Sequence, residues 1–246
     1  MNKQTFLTLL ATFVLLFSFT FSCSAKGKDK AKHVVFIGLD GWGAYSLPKA
    51  DMPNVKKLME DGSYTLKKRS ALPSSSAINW ASMFMGAGPE LHGYTEWGSK
   101  TPELPSRVLN KNGIFPTVFQ LLRDARPEAE IGCLYEWEGI KYLVDTLSLN
   151  YHYHVADCNK TPKELGNMSS SYIKEKHPAL VAICFDGPDH TGHTEGHDTP
   201  AYYEKLKELD SYVGQIVQAV KDAGMLDDTI FILTSDHGGI DKGHGG

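Results

Sequence analysis

The chain has 246 residues, of which 41% are hydrophobic and 22% are charged. This composition is enough for one ordinary globular domain with a sizeable core, or at most two small ones. The formal net charge is −4, and acidic and basic residues are mixed along the chain. Because no long basic stripe is present, a nucleic-acid polymer is not expected as a partner.

The first 25 residues have the pattern of a signal peptide. Lys3 precedes an apolar run over residues 6–21 that only Thr and Ser interrupt. This run is short for a membrane span of about 20 residues, and its length is typical of a signal peptide. We therefore expect export, to the periplasm or the cell envelope.

The end of this segment allows three interpretations. Residues 20–23 (Thr-Phe-Ser-Cys) resemble a bacterial lipoprotein signal that ends at Ser22 and leaves a lipid on Cys23. Cleavage after Ala25 and an uncleaved anchor are the alternatives. Residues 26–32 are rich in Lys and predict a solvated tether, so the membrane is expected as a partner only through an N-terminal lipid anchor.

Strands and helices alternate along the rest of the chain. Continuous apolar runs predict strands at 33–39 and 180–185, and shorter patterns predict strands at 65–72, 130–135, 151–154 and 229–233. Helical spacing predicts helices at 53–61, 76–85, 115–125, 169–176 and 200–223. This alternation predicts an α/β fold over residues 33–246, a three-layer sandwich with a mostly parallel central sheet.

The cysteines allow two interpretations. In an exported protein Cys133 and Cys158 could form a disulfide, and buried thiols at Cys133, Cys158 and Cys184 are the alternative. No C-x-x-C pattern is present, so a zinc site built from thiolates is not expected.

Polar residues follow three of the predicted strands. Asp40 follows the first strand, and Asp189 and His193 follow the strand at 180–185. Asp236 and His237 follow the last strand, and His244 comes shortly after them. In an open α/β sheet the carboxyl ends of the strands form the edge where ligands bind. We therefore expect these side chains to converge.

Carboxylates and imidazoles without thiolates are suited to zinc or manganese in a catalytic site. Six such ligands are too many for one open tetrahedral ion, and they divide into two sets of three. The sequence therefore predicts two divalent metal ions, with zinc as the first candidate and manganese as the second.

The segment from Ser76 to Gly93 carries the most specific pattern. It places Asn79 three residues after Ser76 and ends in Gly-Ala-Gly-Pro-Glu-Leu-His-Gly. With the three metal-type clusters, this segment resembles the type I phosphodiesterase and nucleotide pyrophosphatase branch of the alkaline phosphatase superfamily. The family commonly has Phe-Pro before the Asn, whereas this chain has Ala77-Ile78. Ser74 and Ser75 are therefore alternative nucleophiles, but Ser76 keeps the family spacing.

The resemblance implies a role for each candidate residue. One ion would be held by Asp40, Asp236, His237 and the Ser76 oxygen, and the other by Asp189, His193 and His244. Ser76 would be the nucleophile at a helix N-terminus, a position that favours a phosphate. Asn79 would donate its side-chain amide to a phosphate oxygen.

These residues predict an exported two-metal hydrolase that cleaves phosphodiester or pyrophosphate bonds in small phosphate esters through a phosphoserine intermediate. The monoesterase branch of the superfamily binds its phosphate with an Arg, and the nearest Arg here is Arg69, upstream of Ser76. No Arg therefore lies within the motifs, which favours diesters as substrates. A phosphomonoesterase or phosphotransferase on the same scaffold is the alternative. The natural substrate and the oligomeric state stay open.

Relatives normally continue with another strand and helix beyond the last ligand, whereas this sequence stops at Gly246. The resemblance therefore implies a domain truncated at its C-terminus, and a truncated, non-catalytic protein that binds metal or phosphate is a further alternative. Among the remaining residues, His92 is expected to cap helix carbonyls. His190 and His197 are expected to be exposed loop histidines, and Trp97 to be core or pocket wall.

Overall fold

The computed structural model describes residues 31–156 and 161–244. The predicted signal peptide, Cys23, most of the Lys-rich tether and Cys158 lie outside the described residues. In the part of the chain that is described, no helix combines the length and the apolar character needed to cross a bilayer.

Five parallel strands form one sheet in the order β3-β2-β4-β1-β5. The strands are β1 (His33–Leu39), β2 (Ile131–Tyr135), β3 (Tyr151–His154), β4 (Leu180–Phe185) and β5 (Thr229–Thr234). In the register of the sheet, Gly38 of β1 lies opposite Cys184 of β4 and Thr234 of β5. The carboxyl ends of the three strands that precede the polar clusters therefore meet at one edge.

Seven α-helices connect these strands among the described residues. They are α1 (Pro53–Asp61), α2 (Ser76–Met85), α3 (Pro89–His92), α4 (Val118–Ala125), α5 (Lys163–Lys176), α6 (Gly187–Glu195) and α7 (Pro200–Asp222). Helix α4 begins later than predicted because the Thr117 side chain accepts a hydrogen bond from the Gln120 N–H and caps it. Helix α5 begins at Lys163, six residues before the predicted start.

Each face of the sheet packs against its own layer of helices. Alternate residues of β1 divide between two hydrophobic clusters, with Val35 and Ile37 on one side and Val34 and Phe36 on the other. The first cluster includes buried residues of α1, α5 and α7, and the second includes those of α2 and α4. Full burial of one such aliphatic side chain contributes roughly 1.5–3 kcal/mol. The predicted three-layer α/β sandwich with a parallel sheet is confirmed.

Two predicted features differ from the structure. Residues 65–72 form no strand, because 65–69 are exposed and the Ala71 N–H donates to the Asn79 side chain at 2.7 Å instead of to a sheet partner. Helix α6 was not predicted, although Pro188 in its first turn is typical of a helix start. Cys133 and Cys184 are buried free thiols.

Candidate active site

Asp40 is the first residue after β1, and a hydrogen bond from Trp80 of α2 orients its carboxylate. The Trp80 Nε1–H donates to Asp40 Oδ2 at 2.9 Å, and Asp40 is only 2% exposed. A Cβ atom at Gly38 would lie 2.2 Å from the Trp80 ring. Only glycine at this point of β1 leaves room for the ring that orients the carboxylate.

Asp236, His237, Asp40 and Ser76 form the inner cluster. His237 Nε2 lies 3.2 Å from Asp236 Oδ2, 3.5 Å from Asp40 Oδ1 and 3.2 Å from Ser76 Oγ. The Gly41 N–H donates to Asp236 Oδ1 at 3.1 Å, which joins the loop after β1 to the loop after β5. All four residues are buried, so the sheet edge and the start of α2 build this cluster inside the protein.

Asp189, His193 and His244 form the outer cluster. The spacing of four residues in α6 places Asp189 and His193 on one helix face, with Asp189 Oδ2 3.2 Å from His193 Nε2. His244 Nε2 approaches Asp189 Oδ1 to 4.0 Å. The ligand atoms of these three residues all lie within 4.8 Å of one another, and so do those of Asp40, Asp189 and His237. Asp189 therefore lies between the two clusters.

The three cluster histidines share one hydrogen-bonding pattern. Nδ1 of His193, His237 and His244 faces a backbone carbonyl, at 2.9, 2.9 and 2.6 Å. A carbonyl can only accept, so Nδ1 carries the proton in each neutral ring and Nε2 presents its lone pair to the site. Metal-binding histidines are oriented in this way by a hydrogen bond from their other ring nitrogen.

Several oxygens of the site are buried without a hydrogen-bond partner in the described part of the chain, namely Asp40 Oδ1, Asp189 Oδ1 and Asp236 Oδ2. Burial, reinforced by Asp236 and Asp189, raises the pKa of Asp40 well above its usual range. Burial also raises the pKa of Asp236 to about 6, and burial with the neighbouring His244 lowers the pKa of His237 to about 4. Unpaired carboxylates facing imidazole lone pairs are stabilised by a cation, and this donor set fits divalent metal ions.

Ser76 is the first residue of α2, where free backbone N–H groups favour a phosphate. Asn79 lies one turn further on, and its side chain is bonded to the backbone: Nδ2 donates to the carbonyls of Ser75 at 3.0 Å and Ala71 at 3.3 Å, and Oδ1 accepts from the Ala71 N–H. Asn79 thus fixes the segment that leads into the candidate nucleophile. Its predicted contact with a phosphate oxygen stays a prediction.

A cavity of about 600 Å³ opens beside the two clusters. Its lining includes Ser76, Asp189 and His193 together with Trp97 and Trp137. The two indole rings are 6.4 Å apart between centroids, and Trp97 is 62% exposed. The cavity thus combines polar residues of the clusters with two apolar rings, in a space large enough for a small phosphate ester.

Four residues differ from expectation or were missed. His197 is 5% exposed, so its interpretation as an exposed loop residue was wrong, and His190 is exposed as expected but lies in helix α6 and not in a loop. His92 is buried and accepts from the Tyr94 N–H at 3.1 Å, so it does not cap carbonyls as expected. The Lys68 ammonium donates to the carbonyls of Ser235 and Asp236, and no sequence motif marks it.

A parallel three-layer sandwich with carboxylate and histidine clusters at its strand ends defines an α/β fold of the alkaline phosphatase-like class. The family model described as type I phosphodiesterase / nucleotide pyrophosphatase matches residues 34–242. The chain therefore belongs to this family.

Curated relatives agree with this membership, and a solved structure shares the fold. The chain is 25% identical to bis(5'-adenosyl)-triphosphatase enpp4 from Mus musculus over 222 residues, which cover 85% of this chain and 48% of the relative. It is 22% identical to venom phosphodiesterase 2 from Crotalus adamanteus, over 83% of this chain and 26% of that protein. Murine ectonucleotide pyrophosphatase/phosphodiesterase 5, solved in complex with AMP, superposes with a TM-score of 0.65 at 19% identity, over 84% of this chain and 57% of that one. The chain thus spans about half of the first of these proteins, about a quarter of the second and 57% of the third.

Proposed function

We propose that this protein hydrolyses phosphodiester or pyrophosphate bonds with Ser76 as the nucleophile. The observation that carries this proposal is the position of Ser76 Oγ at the N-terminus of α2, 3.2 Å from His237 Nε2 and on the wall of the cavity. Family membership and the activities in the names of the relatives support the same chemistry.

Two divalent metal ions are part of the proposal, with zinc favoured and manganese as the alternative. Asp40, Asp236, His237 and Ser76 Oγ would hold one ion, and the outer cluster would hold the other. The chemistry that such ions supply is the stabilisation of negative charge on the attacking and leaving oxygens. The unpartnered carboxylate oxygens and the inward lone pairs of the histidines support this assignment.

Ser76 would act in two steps. In the first step its Oγ bonds to phosphorus, the bond to the leaving oxygen breaks, and the serine proton ends on the departing alcohol or phosphate. In the second step water cleaves the phosphoserine ester, which releases a phosphate monoester and restores the hydroxyl. The backbone N–H groups at the start of α2 would bind the phosphate oxygens in both steps.

Asn79 and the two tryptophans of the cavity, Trp97 and Trp137, are the residues that would select the substrate. An Asn79 contact with a phosphate oxygen would replace the longer of its two donor bonds, the one to Ala71 at 3.3 Å. A neutral amide gains less than an arginine from the extra negative charge of a monoester phosphate. The amide of Asn79 therefore favours diesters over monoesters. Trp97 and Trp137 offer an apolar surface to the group esterified to the phosphate.

The test compares the zinc-loaded full-length chain on a chromogenic phosphodiester and on the matching monoester. We expect faster diester hydrolysis and a loss of about 10³-fold or more in Ser76→Ala. Ser75→Ala is the matched control, and it should keep most of the activity. Faster monoester cleavage would overturn the diester assignment, and an active Ser76→Ala variant would overturn the nucleophile.

Export is the remaining part of the proposal, supported by the apolar run at 6–21. The mass of the mature chain from a bacterial host would distinguish a lipid on Cys23 from cleavage after Ala25. A mature chain that keeps residue 1 would contradict a cleaved signal.

A further inference from the structure

A carboxylate without a partner lines the cavity beside the two clusters. Asp186 directly precedes α6, at the position from which an Asp side chain commonly caps a helix, yet its side chain accepts no capping hydrogen bond. Its carboxylate forms neither a hydrogen bond nor an ion pair within the described residues. Asp186 belongs to neither set of proposed metal ligands. This carboxylate is therefore free to contact a molecule in the cavity.

Trp137 and Asp186 line the cavity from two segments that a hydrogen bond joins. Glu136, the residue before Trp137, accepts from the Asp186 N–H at 2.7 Å. Trp97, whose ring neighbours that of Trp137, is 62% exposed. Two indole rings and an unpaired carboxylate thus line one cavity.

The charges of the cavity favour a positively charged group. Among the described residues, its lining contains the carboxylates of Asp186 and Asp189 and no Lys or Arg. Asp189 belongs to the outer cluster, so a metal ion would compensate it and leave Asp186 unpaired. Burial, reinforced by the charge of Asp189, raises the pKa of Asp186 to about 6, and the side chain is therefore ionised at about pH 8. Such a carboxylate attracts a cation and repels the further phosphates of a polyphosphate.

Indole rings and a carboxylate together are suited to an organic ammonium ion. The face of an indole attracts a cation, and proteins recognise choline and other quaternary ammonium ligands with aromatic rings in this way. The methyl groups around the nitrogen are apolar, so they also gain from contact with the rings. The carboxylate supplies the opposite charge without a donor being needed on the ligand.

We propose that one of the two groups esterified to the phosphate is an amino alcohol such as choline, whose ammonium group binds beside Asp186 and the rings of Trp97 and Trp137. This inference rests on the proposed function and names its substrate class, a phosphodiester of an amino alcohol. The bonds that form and break are those of the two steps described for Ser76.

The direct test compares two nitrophenyl phosphodiesters on the zinc-loaded full-length chain at about pH 8. One carries choline, and the other carries the uncharged isostere in which carbon replaces the quaternary nitrogen. We expect kcat/KM to be about 10-fold higher for the choline ester, and Asp186→Asn to remove most of this preference by slowing that ester alone. Glu195→Gln, at the exposed end of α6, is the control and should keep the preference.

Two results of this comparison would overturn the proposal. One is equal kcat/KM for the two esters in the wild type, a measurement that requires no variant to fold. The other is faster cleavage of a nitrophenyl nucleotide diester than of the choline ester, which would assign the indole rings to a nucleobase.

Ligand binding separates this proposal from the proposed hydrolysis. By calorimetry, the zinc-loaded protein should bind phosphocholine about 10-fold more tightly than its uncharged isostere, and Trp97→Leu should reduce this ratio. The preference without any hydrolysis would support the ammonium site and overturn the hydrolase. Hydrolysis without the preference would overturn the ammonium site alone.

Two natural esters identify the source of the ammonium group. Faster cleavage of glycerophosphocholine would support the proposal with a soluble ester as substrate, and faster cleavage of phosphatidylcholine vesicles would support it with a lipid. Cleavage of neither ester by a protein that hydrolyses the nitrophenyl diesters would contradict the proposal.

Discussion

The inner and outer clusters use the same residue types but are built differently. The side chains of Asp40, Asp236 and His237 are at most 3% exposed and follow directly from strands β1 and β5. In the outer cluster the His193 side chain is 44% exposed, and its residues belong to the short helix α6 and the chain after β5. The sheet therefore builds the inner cluster as part of the core, whereas the outer cluster depends on how α6 is held.

This difference has an energetic consequence. Buried carboxylates at close range destabilise the fold unless a cation compensates them. The inner cluster brings two buried carboxylates together, Asp40 and Asp236, whereas the outer cluster contains one, Asp189. Removing a charge should therefore affect the stability of the metal-free protein at the inner cluster much more than at the outer one.

The largest effect is expected for Asp236→Asn. Its amide nitrogen would take the place of the oxygen that lies 3.2 Å from His237 Nε2, and would donate to the lone pair there. We expect hydrolysis to fall by about 10³-fold or more, because a proposed metal ligand is lost. The metal-free protein should instead gain about 1 kcal/mol of unfolding free energy, since a buried charge disappears. Activity assays and denaturant unfolding in EDTA measure the two effects.

His193→Asn is the corresponding change of a candidate metal ligand in the outer cluster, and it removes a neutral ring. It should also lower activity, but it should alter the unfolding free energy of the metal-free protein by no more than about 0.5 kcal/mol, because the side chain is partly exposed. Equal effects of the two variants on stability would remove the proposed difference between the clusters.

A second, smaller effect concerns Glu136, which supports α6. Its Oε2 accepts from the Asp186 N–H at 2.7 Å, just before the helix, while Oε1 is buried without a hydrogen-bond partner in the described residues. Burial raises the pKa of Glu136 from 4.5 to about 8, and the nearby charge of Asp186 raises it as well. The hydrogen bond from the Asp186 N–H and the charge of Lys205 lower this pKa, but their effect is smaller than that of burial. The folded state therefore retains a proton that the unfolded state has released at neutral pH.

The sign of the pH dependence follows from this retained proton. Stability from Glu136 is complete below pH 4.5 and is lost as the pH rises through about 8. His237, whose pKa is lowered to about 4, has the opposite effect only up to its usual pKa near 6.5. We expect the metal-free protein to lose stability between about pH 6.5 and 8, with about 1–2 kcal/mol of the loss due to Glu136, and we expect Glu136→Gln to remove that part. A variant with the same loss in urea unfolding would refute the assignment to Glu136.

The smallest effect is expected at Lys68, whose ammonium binds the carbonyls of Ser235 and Asp236 beside the inner cluster. Lys68→Met should cost about 1 kcal/mol of unfolding free energy, because two backbone acceptors lose a charged donor. Thermal unfolding measures this loss, and Lys67→Met, one residue earlier and exposed, is the control. Equal stabilities of the two variants would show that the contact contributes nothing.

Much of the fold follows from local signals in the sequence. The apolar runs of β1 and β4 and the spacing of Leu206, Leu209 and Val213 in α7 are strong because these elements are buried. The convergence of Asp40, Asp189 and Asp236 follows from strand ends that share an edge in a parallel sheet. Residues 65–72 were wrongly predicted as a strand. Their sequence pattern does not show whether a neighbouring strand is present to pair with them.

The residues that the sequence did not reveal act through contacts distant along the chain. Lys68 meets the Asp236 carbonyl 168 residues later, and Glu136 meets the Asp186 N–H 50 residues later. His197 lies close to the motif of Asp189 and His193, yet its burial depends on Gly239 as well as Gly192. From the sequence alone, a histidine near glycines resembles a loop residue. Only the fold shows that the segments of Gly192 and Gly239 enclose its ring.

The measurement that tests the two-cluster account most directly is the zinc content per chain after the full-length protein is loaded and exhaustively dialysed. We expect two zinc ions in the wild type and one in each of Asp236→Asn and His193→Asn, since each variant disrupts one cluster. A single zinc ion in the wild type, or two ions in both variants, would contradict the account.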